Sequence, residues 1–76
     1  MPRVPAADQA LAAALRRLRE SRGLTQEQLA YEAGVTVGTL SKIELGHASP
    51  AWATVRQIAE ALGVSLVELA QAVERG

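Results

Sequence analysis

The stretch from Gln26 to Leu45 constrains the fold of this 76-residue chain more than any other part of its sequence. It reads QEQLAYEAGVTVGTLSKIEL, with apolar residues at helical spacing on both sides of one central glycine. Thr25 and Gln28 have the spacing of a capping box at the start of the first helix. Gly34 can end that helix, because glycine adopts the left-handed conformation without steric cost. The pattern predicts two short helices joined by a tight turn.

The inward-facing residues of this stretch indicate how the two helices pack. Thr36 can cap the second helix, whose apolar face is formed by Leu40 and Ile43. The small side chain of Ala30 lets the helices approach closely, and Val35 is an apolar plug just past the turn. Together they predict a helix-turn-helix, the unit that lays its second helix in the major groove of DNA. The alternative is an ordinary helical hairpin that touches no DNA.

The remaining segments predict three further helices. Asp8 is a good cap for the first helix, which should stop at Gly23. Pro50 can open the fourth helix, where its missing N–H costs nothing. Ser65 and Glu68 repeat the capping-box pattern at the fifth. The apolar residues at helical spacing are Leu11, Leu15 and Leu18 in the first helix, Trp52, Val55, Ile58, Ala59 and Leu62 in the fourth, and Leu66, Leu69 and Val73 in the fifth.

The length and composition of the chain limit the classes of protein to which it can belong. Residues 1–7 hold two prolines without periodicity and are predicted to form a flexible N-terminal arm, which leaves residues 8–76 as a single domain. A core of this size contributes only about 3–5 kcal/mol, so a dimer contact would help the chain to fold. There is no cysteine, and no apolar run approaches the roughly 20 residues of a membrane span. We therefore expect a cytoplasmic protein with no membrane contact, disulfide or thiolate metal site.

Three segments resemble the lambda-repressor/Cro-like helix-turn-helix family, which is also called the XRE family. They are LRRLRESRGLTQEQLA (Leu15 to Ala30), AGVTVGTLSKIELG (Ala33 to Gly46) and VRQIAEALGVSLVEL (Val55 to Leu69). The resemblance implies an all-α fold of five helices around one core, with the helix-turn-helix at helices two and three. It implies a sequence-specific transcriptional regulator of double-stranded DNA that uses helix three in the major groove as a homodimer. A repressor is the favoured form.

The resemblance also implies which residues contact DNA. Gln26, in the first turn of helix two, would donate to a backbone phosphate. His47 lies in the loop that follows the sugar-phosphate backbone in relatives. The outward face of helix three carries Thr36, Val37, Gly38, Thr39, Ser41 and Lys42. Four of these would face base edges, namely Val37, Gly38, Ser41 and Lys42. Lys42 is the candidate reader of guanine O6 and N7.

Some residues of this chain depart from the family pattern. Relatives often carry long polar side chains at the positions of Val37 and Gly38. Val37 offers only an apolar contact, such as one to a thymine methyl group. Gly38 either lets the backbone sit close to the groove floor or is a tolerated weak position, and both interpretations stay open. Leu45 stands where relatives carry a polar or basic residue and is predicted to form a partly buried helix end. The alternative is an exposed leucine that marks a surface for a partner.

Two structural roles follow from the same resemblance. The positions of Arg19 and Glu44 form an ion pair in the family, which links helix one to the end of helix three. Helix five and the end of helix four are the usual dimer surface of the family. The candidates for packing across a two-fold axis are Leu66, Val67, Ala70 and Val73. The alternative is that Leu66, Leu69 and Val73 only close the core of the monomer.

The charge balance leaves a second function open. Eight Lys and Arg residues are matched by eight Asp and Glu residues, although phosphate contact normally requires a basic surface. The first helix holds four arginines that could form a positive face or a solvated surface, namely Arg16, Arg17, Arg19 and Arg22. The alternative function is a protein-interaction module or an antitoxin, with weak DNA binding and a protein partner such as a toxin. With one histidine and no cysteine, we expect no enzyme, metal or cofactor.

Overall fold

The computed structural model describes residues 8–76, and within this range the chain forms five α-helices and no strand. The helices are α1 (Gln9–Ser21), α2 (Gln26–Ala33), α3 (Val37–Glu44), α4 (Trp52–Leu62) and α5 (Leu66–Arg75). The predicted all-α, five-helix fold is confirmed, with α2 and α3 forming the helix-turn-helix. The arm predicted for residues 1–7 lies outside the described residues. No helix in the described range is both long and apolar enough to cross a membrane.

Local capping chemistry sets the ends of α1 and α2. The Asp8 carboxylate accepts from the backbone N–H of Leu11 at 2.9 Å. Thr25 and Gln28 form the predicted capping box, with hydrogen bonds of 3.1 Å to the Thr25 hydroxyl and 2.8 Å from the Thr25 N–H. Gly34 ends α2 in the left-handed conformation, with φ of +75°. The caps at Asp8 and Thr25 satisfy N–H groups that a helix start otherwise leaves without a partner.

A second capping box starts α5. The Ser65 N–H donates to the Glu68 carboxylate at 2.9 Å, and the Glu68 N–H donates to the Ser65 hydroxyl at 3.0 Å. The bond from the Ser65 backbone is the main cause that holds the pKa of Glu68 below its ordinary value. Glu68 therefore stays charged at the start of α5, where the helix dipole favours a negative charge.

The start of α4 differs from the prediction. Pro50 does not open the helix, because Ala51 follows it with an extended ψ of 154° and helical geometry begins only at Trp52. Trp52 is one of the apolar residues that recur at helical spacing, yet it is 64% exposed. A helical side chain leans over the turn that precedes it, and the first residue of a helix has no such turn to cover. The Trp52 indole therefore projects beyond the end of the core.

The core is aliphatic and draws on all five helices. The largest fully buried side chains are Leu15, Leu29, Leu40 and Ile58. α2 packs chiefly against α4 and α3, while α1 packs against α5 and α3. α3 is therefore held from behind by α1 and α2, and this support leaves its other face open.

Candidate nucleic-acid interface

The face of α3 that points away from the core is open to solvent. Leu40 and Ile43 are buried on the inner face, as expected for an amphipathic helix. The predicted DNA-facing residues lie on the other side: Val37, Gly38, Thr39 and Lys42 are exposed, and Ser41 is half-buried. His47 is exposed just beyond the helix. The arrangement brings a lysine, two hydroxyl groups and one apolar side chain to a single surface.

Two threonines organise the start of α3. The Thr36 hydroxyl accepts from the Thr39 N–H at 3.1 Å and donates to the Thr39 hydroxyl at 2.9 Å. Thr36 is thus engaged as the helix cap, and its hydroxyl proton is already used within the protein. A hydroxyl group has one proton and two lone pairs, so Thr39 keeps its proton for an outside acceptor such as a base or phosphate oxygen.

Gly38 is not required by the packing of the fold. Gly38 does not have a positive φ. A Cβ at this position would contact only the Thr36 hydroxyl, at an ordinary distance of 3.9 Å. A glycine inside a helix costs about 1 kcal/mol relative to alanine. Nothing among the described residues compensates that cost, so the close approach to DNA and the tolerated weak position both stay open as interpretations.

Three elements meet at the Glu44 carboxylate. Arg19 of α1 donates to it twice, from Nε to Oε2 at 2.8 Å and from Nη2 to Oε1 at 3.0 Å. Gln26 of α2 donates a third bond, from Nε2 to Oε1 at 3.1 Å. The side chains of Arg19 and Glu44 are 13% and 2% exposed. Arg19 also donates from Nη1 to the Leu24 carbonyl at 2.9 Å, so this cluster holds the loop before α2.

The charge state of this cluster follows from its contacts. The hydrogen bonds to Glu44 raise the pKa of Arg19 above its ordinary value, against a smaller opposing effect of burial. The guanidinium therefore stays charged over the accessible pH range. Sequence patterning pointed to Arg19 and Glu44 through the family resemblance alone, and it gave no indication of the bond from Gln26.

The arginines in and just after α1 contact different parts of the protein. Arg17 donates to the Ala72 carbonyl of α5 at 3.2 Å. Arg19 is engaged with Glu44, and Arg22 lies beside the turn before α5, 3.3 Å from where a Cβ of Gly63 would stand. Arg19 is half-buried in its ion pair, whereas Arg16, Arg17 and Arg22 remain exposed, so at most three of the four arginines can contribute to a positive face. Lys42 is the only basic residue between Gln26 and Gly46.

Other exposed apolar residues lie outside the predicted interface. Leu45 is 55% exposed, so the prediction of a partly buried helix end is wrong. The reason is that Leu45 follows the last turn of α3, where no other helix of residues 8–76 covers it. Tyr31 of α2 is 88% exposed and was not singled out from the sequence, since a lone aromatic residue in a helix gives no pattern.

An apolar groove runs along α5. Three of the four predicted dimer residues line it, namely Leu66, Ala70 and Val73, together with Leu11, Trp52, Val55 and Leu69. Its volume is about 340 Å³. The fourth predicted residue, Val67, is 67% exposed beside it. Leu66 and Val73 are half-buried, so they contribute to the core and to this surface at once.

The sequence of this chain is similar to those of known helix-turn-helix proteins. A family model described as a helix-turn-helix domain matches residues 10–72. The HTH-type transcriptional regulator y4dJ of Sinorhizobium fredii is 45% identical over 53 residues, which cover 70% of this chain and 69% of that protein. An HTH-type transcriptional regulator of Methanothermobacter thermautotrophicus is 43% identical over 54 residues, which cover 71% and 78%.

Two solved structures are also similar to the structure of this chain. The structure of the clp gene regulator ClgR from Corynebacterium glutamicum superposes with a TM-score of 0.85 at 30% identity, covering 95% of this chain and 94% of that one. The restriction-modification controller protein C.AhdI from Aeromonas hydrophila gives a TM-score of 0.78 at 30% identity, with coverage of 80% and 92%.

Proposed function

This chain belongs to the XRE-like helix-turn-helix family of DNA-binding transcriptional regulators, and we propose that it binds a specific operator as a homodimer and represses transcription. α3 enters the major groove, and occupancy of a promoter blocks the polymerase. The observation that carries the proposal is the open face of α3, which presents Thr39 and Lys42 while Leu40 and Ile43 anchor the helix from behind.

The contacts divide into base and phosphate contacts. Lys42 donates to guanine O6 or N7, Ser41 and Thr39 donate to bases or phosphates, and Val37 contacts a thymine methyl group. Gln26 and His47 contact phosphates on the flanks, where helix N-termini also offer free backbone N–H groups. Because Lys42 is the only basic side chain in the motif, few counterions are released on binding. The affinity therefore falls less steeply with salt than it does for a strongly basic regulator.

A binding titration tests the assignment of Lys42. We expect Lys42→Ala to weaken binding to the preferred site by about 10- to 100-fold, as loss of one specific base contact worth about 1–3 kcal/mol predicts. The preferred site comes from selection on random DNA, and fluorescence anisotropy gives the affinity. Arg56→Ala, on the exposed side of α4, is the matched control and should bind like the unmodified protein. If Lys42→Ala keeps both affinity and base preference, Lys42 does not read DNA.

The dimer is proposed to form through the groove side of α5. Two copies that bury Leu66, Val67, Ala70 and Val73 against each other would match half-sites about 10 bp apart. We expect Val67→Glu to convert the dimer into a monomer in sedimentation at micromolar concentration, because the new carboxylate would lose its water in the interface. Tyr31→Glu changes a similarly exposed apolar side chain on α2 and should remain dimeric. A monomeric unmodified protein would contradict the proposed interface.

A protein-interaction module, or an antitoxin whose partner is a toxin, is the second candidate function. The exposed Leu45 and the net charge of zero favour it, since both suit a protein surface better than a phosphate backbone. The same anisotropy titration distinguishes the two functions. Binding that stays at the level of nonspecific DNA, with no site recovered by selection, would support the interaction module.

A further inference from the structure

We infer that Glu44 is a positioning residue for DNA binding, whose carboxylate holds the Gln26 carboxamide in the orientation that contacts phosphate. One N–H of Gln26 Nε2 is kept on the protein, and the other is presented outward. The inference rests on the proposed function, because it requires that Gln26 contacts DNA. It adds to that function a role for Glu44 of α3, which orients the Gln26 side chain of α2 for its contact with phosphate.

The chemistry of the contact fixes the orientation of the amide. An ionised carboxylate can only accept hydrogen bonds, and Oε1 of Glu44 lies 3.1 Å from Nε2 of Gln26. Rotating the carboxamide by 180° would place its carbonyl oxygen against the carboxylate, which is repulsive. The nitrogen of Gln26 therefore faces Glu44, and this leaves one N–H and the carbonyl oxygen for other partners.

The bond from Gln26 is not needed to balance the charge of Glu44. A carboxylate at the last residue of a helix opposes the helix dipole, and Arg19 compensates this with two hydrogen bonds and a positive charge. Gln26 is neutral and adds no charge compensation. The bond from Gln26 to Glu44 restricts the flexible Gln26 side chain before DNA binds. Less rotamer entropy is therefore lost on binding.

The position of Gln26 makes this restriction useful. Gln26 is the first residue of α2, and the N–H groups of Gln26 and Glu27 are not used by the capping box, which engages Gln28. A phosphate at this point accepts from the carboxamide and from the helix N-terminus together. Since Glu44 belongs to α3, the contact also fixes the phosphate-binding group relative to the helix that enters the groove.

A double-mutant cycle on DNA affinity tests the inference. The proteins are the unmodified chain, Gln26→Ala, Glu44→Gln and the double variant, titrated against the selected site at a temperature where circular dichroism shows all four folded. We expect each single variant to bind several-fold more weakly and the double variant to bind no more weakly than the weaker single variant. The salt dependence of Gln26→Ala should match that of the unmodified chain, because a neutral amide releases no counterion.

The outcomes separate the inference from the function. Losses that multiply in the double variant, or a Gln26→Ala variant that binds normally, overturn the inference while DNA binding stands. An unmodified protein that binds no specific DNA overturns the proposed function, and the inference with it. Glu44→Gln is nearly isosteric and keeps one acceptor oxygen, which is why it is preferred to alanine. It weakens the contact with Gln26, because it removes the negative charge and leaves one oxygen for the three bonds that the carboxylate accepts.

A measurement on the unmodified protein covers the case in which Glu44→Gln does not fold. In nuclear magnetic resonance spectra, one side-chain amide proton of Gln26 should be shifted downfield and protected from exchange, relative to those of Gln57, which is exposed on α4. Addition of operator DNA should then shift the second proton of the same amide. Two Gln26 protons that exchange like those of Gln57 would overturn the inference.

Discussion

Replacing Arg19 with alanine is expected to lower the free energy of unfolding by about 3–5 kcal/mol, because a carboxylate with 2% exposure then loses its charged partner. The same substitution removes the bond from Nη1 to the Leu24 carbonyl. Since a core of this size supplies only about 3–5 kcal/mol, the variant should be largely unfolded at room temperature. Thermal melting followed by circular dichroism measures the effect.

The controls for this prediction separate the buried pair from the charge itself. Arg16→Ala removes the same charge from an exposed position of α1 and should leave the melting temperature nearly unchanged. In the cold, where some Arg19→Ala protein remains folded, we expect that fraction to keep its order of preference among DNA sequences. An unchanged melting temperature in Arg19→Ala would show that the pair does not stabilise the fold.

The parts of the fold that were predictable depend on chemistry within a few residues of the chain. The capping boxes at Thr25 and Ser65 each join a hydroxyl to a position three residues on, so the sequence spacing alone reveals them. Gly34 ends α2 because few other residues adopt positive φ. The buried faces follow equally from helical periodicity, which is why Leu40 and Ile43 lie inward on α3.

What the sequence could not reveal depends on how the helices pack. Gln26 and Glu44 are 18 positions apart and meet only because α2 and α3 cross at a particular distance. Arg17 lies 55 positions from the Ala72 carbonyl that it contacts. Periodicity also does not say where the apolar face of a helix extends beyond its neighbours, and this is why it did not reveal that Trp52 is exposed.

Gly46→Ala is expected to lower the free energy of unfolding by about 2–3 kcal/mol, for two separate reasons. Gly46 has φ of +75°, where a Cβ is strained by about 1–2 kcal/mol. The added Cβ would also collide with the Gln9 carboxamide, whose Nε2 donates to the Gly46 carbonyl at 3.0 Å. That side chain can move away, but the hydrogen bond between α1 and the turn after α3 is then lost, at a cost of about 1 kcal/mol.

Gly34→Ala is the matched control, because Gly34 has the same φ of +75° and a Cβ there would meet nothing within 4 Å. It measures the backbone strain alone, so the difference between the two melting curves measures the Gln9 contact. Adding Gln9→Ala to Gly46→Ala should relieve the collision without restoring the bond. If the two glycine variants lose equal stability, Gln9 does not hold the turn. The position of His47, one residue after Gly46, would then depend on α3 and the turn alone.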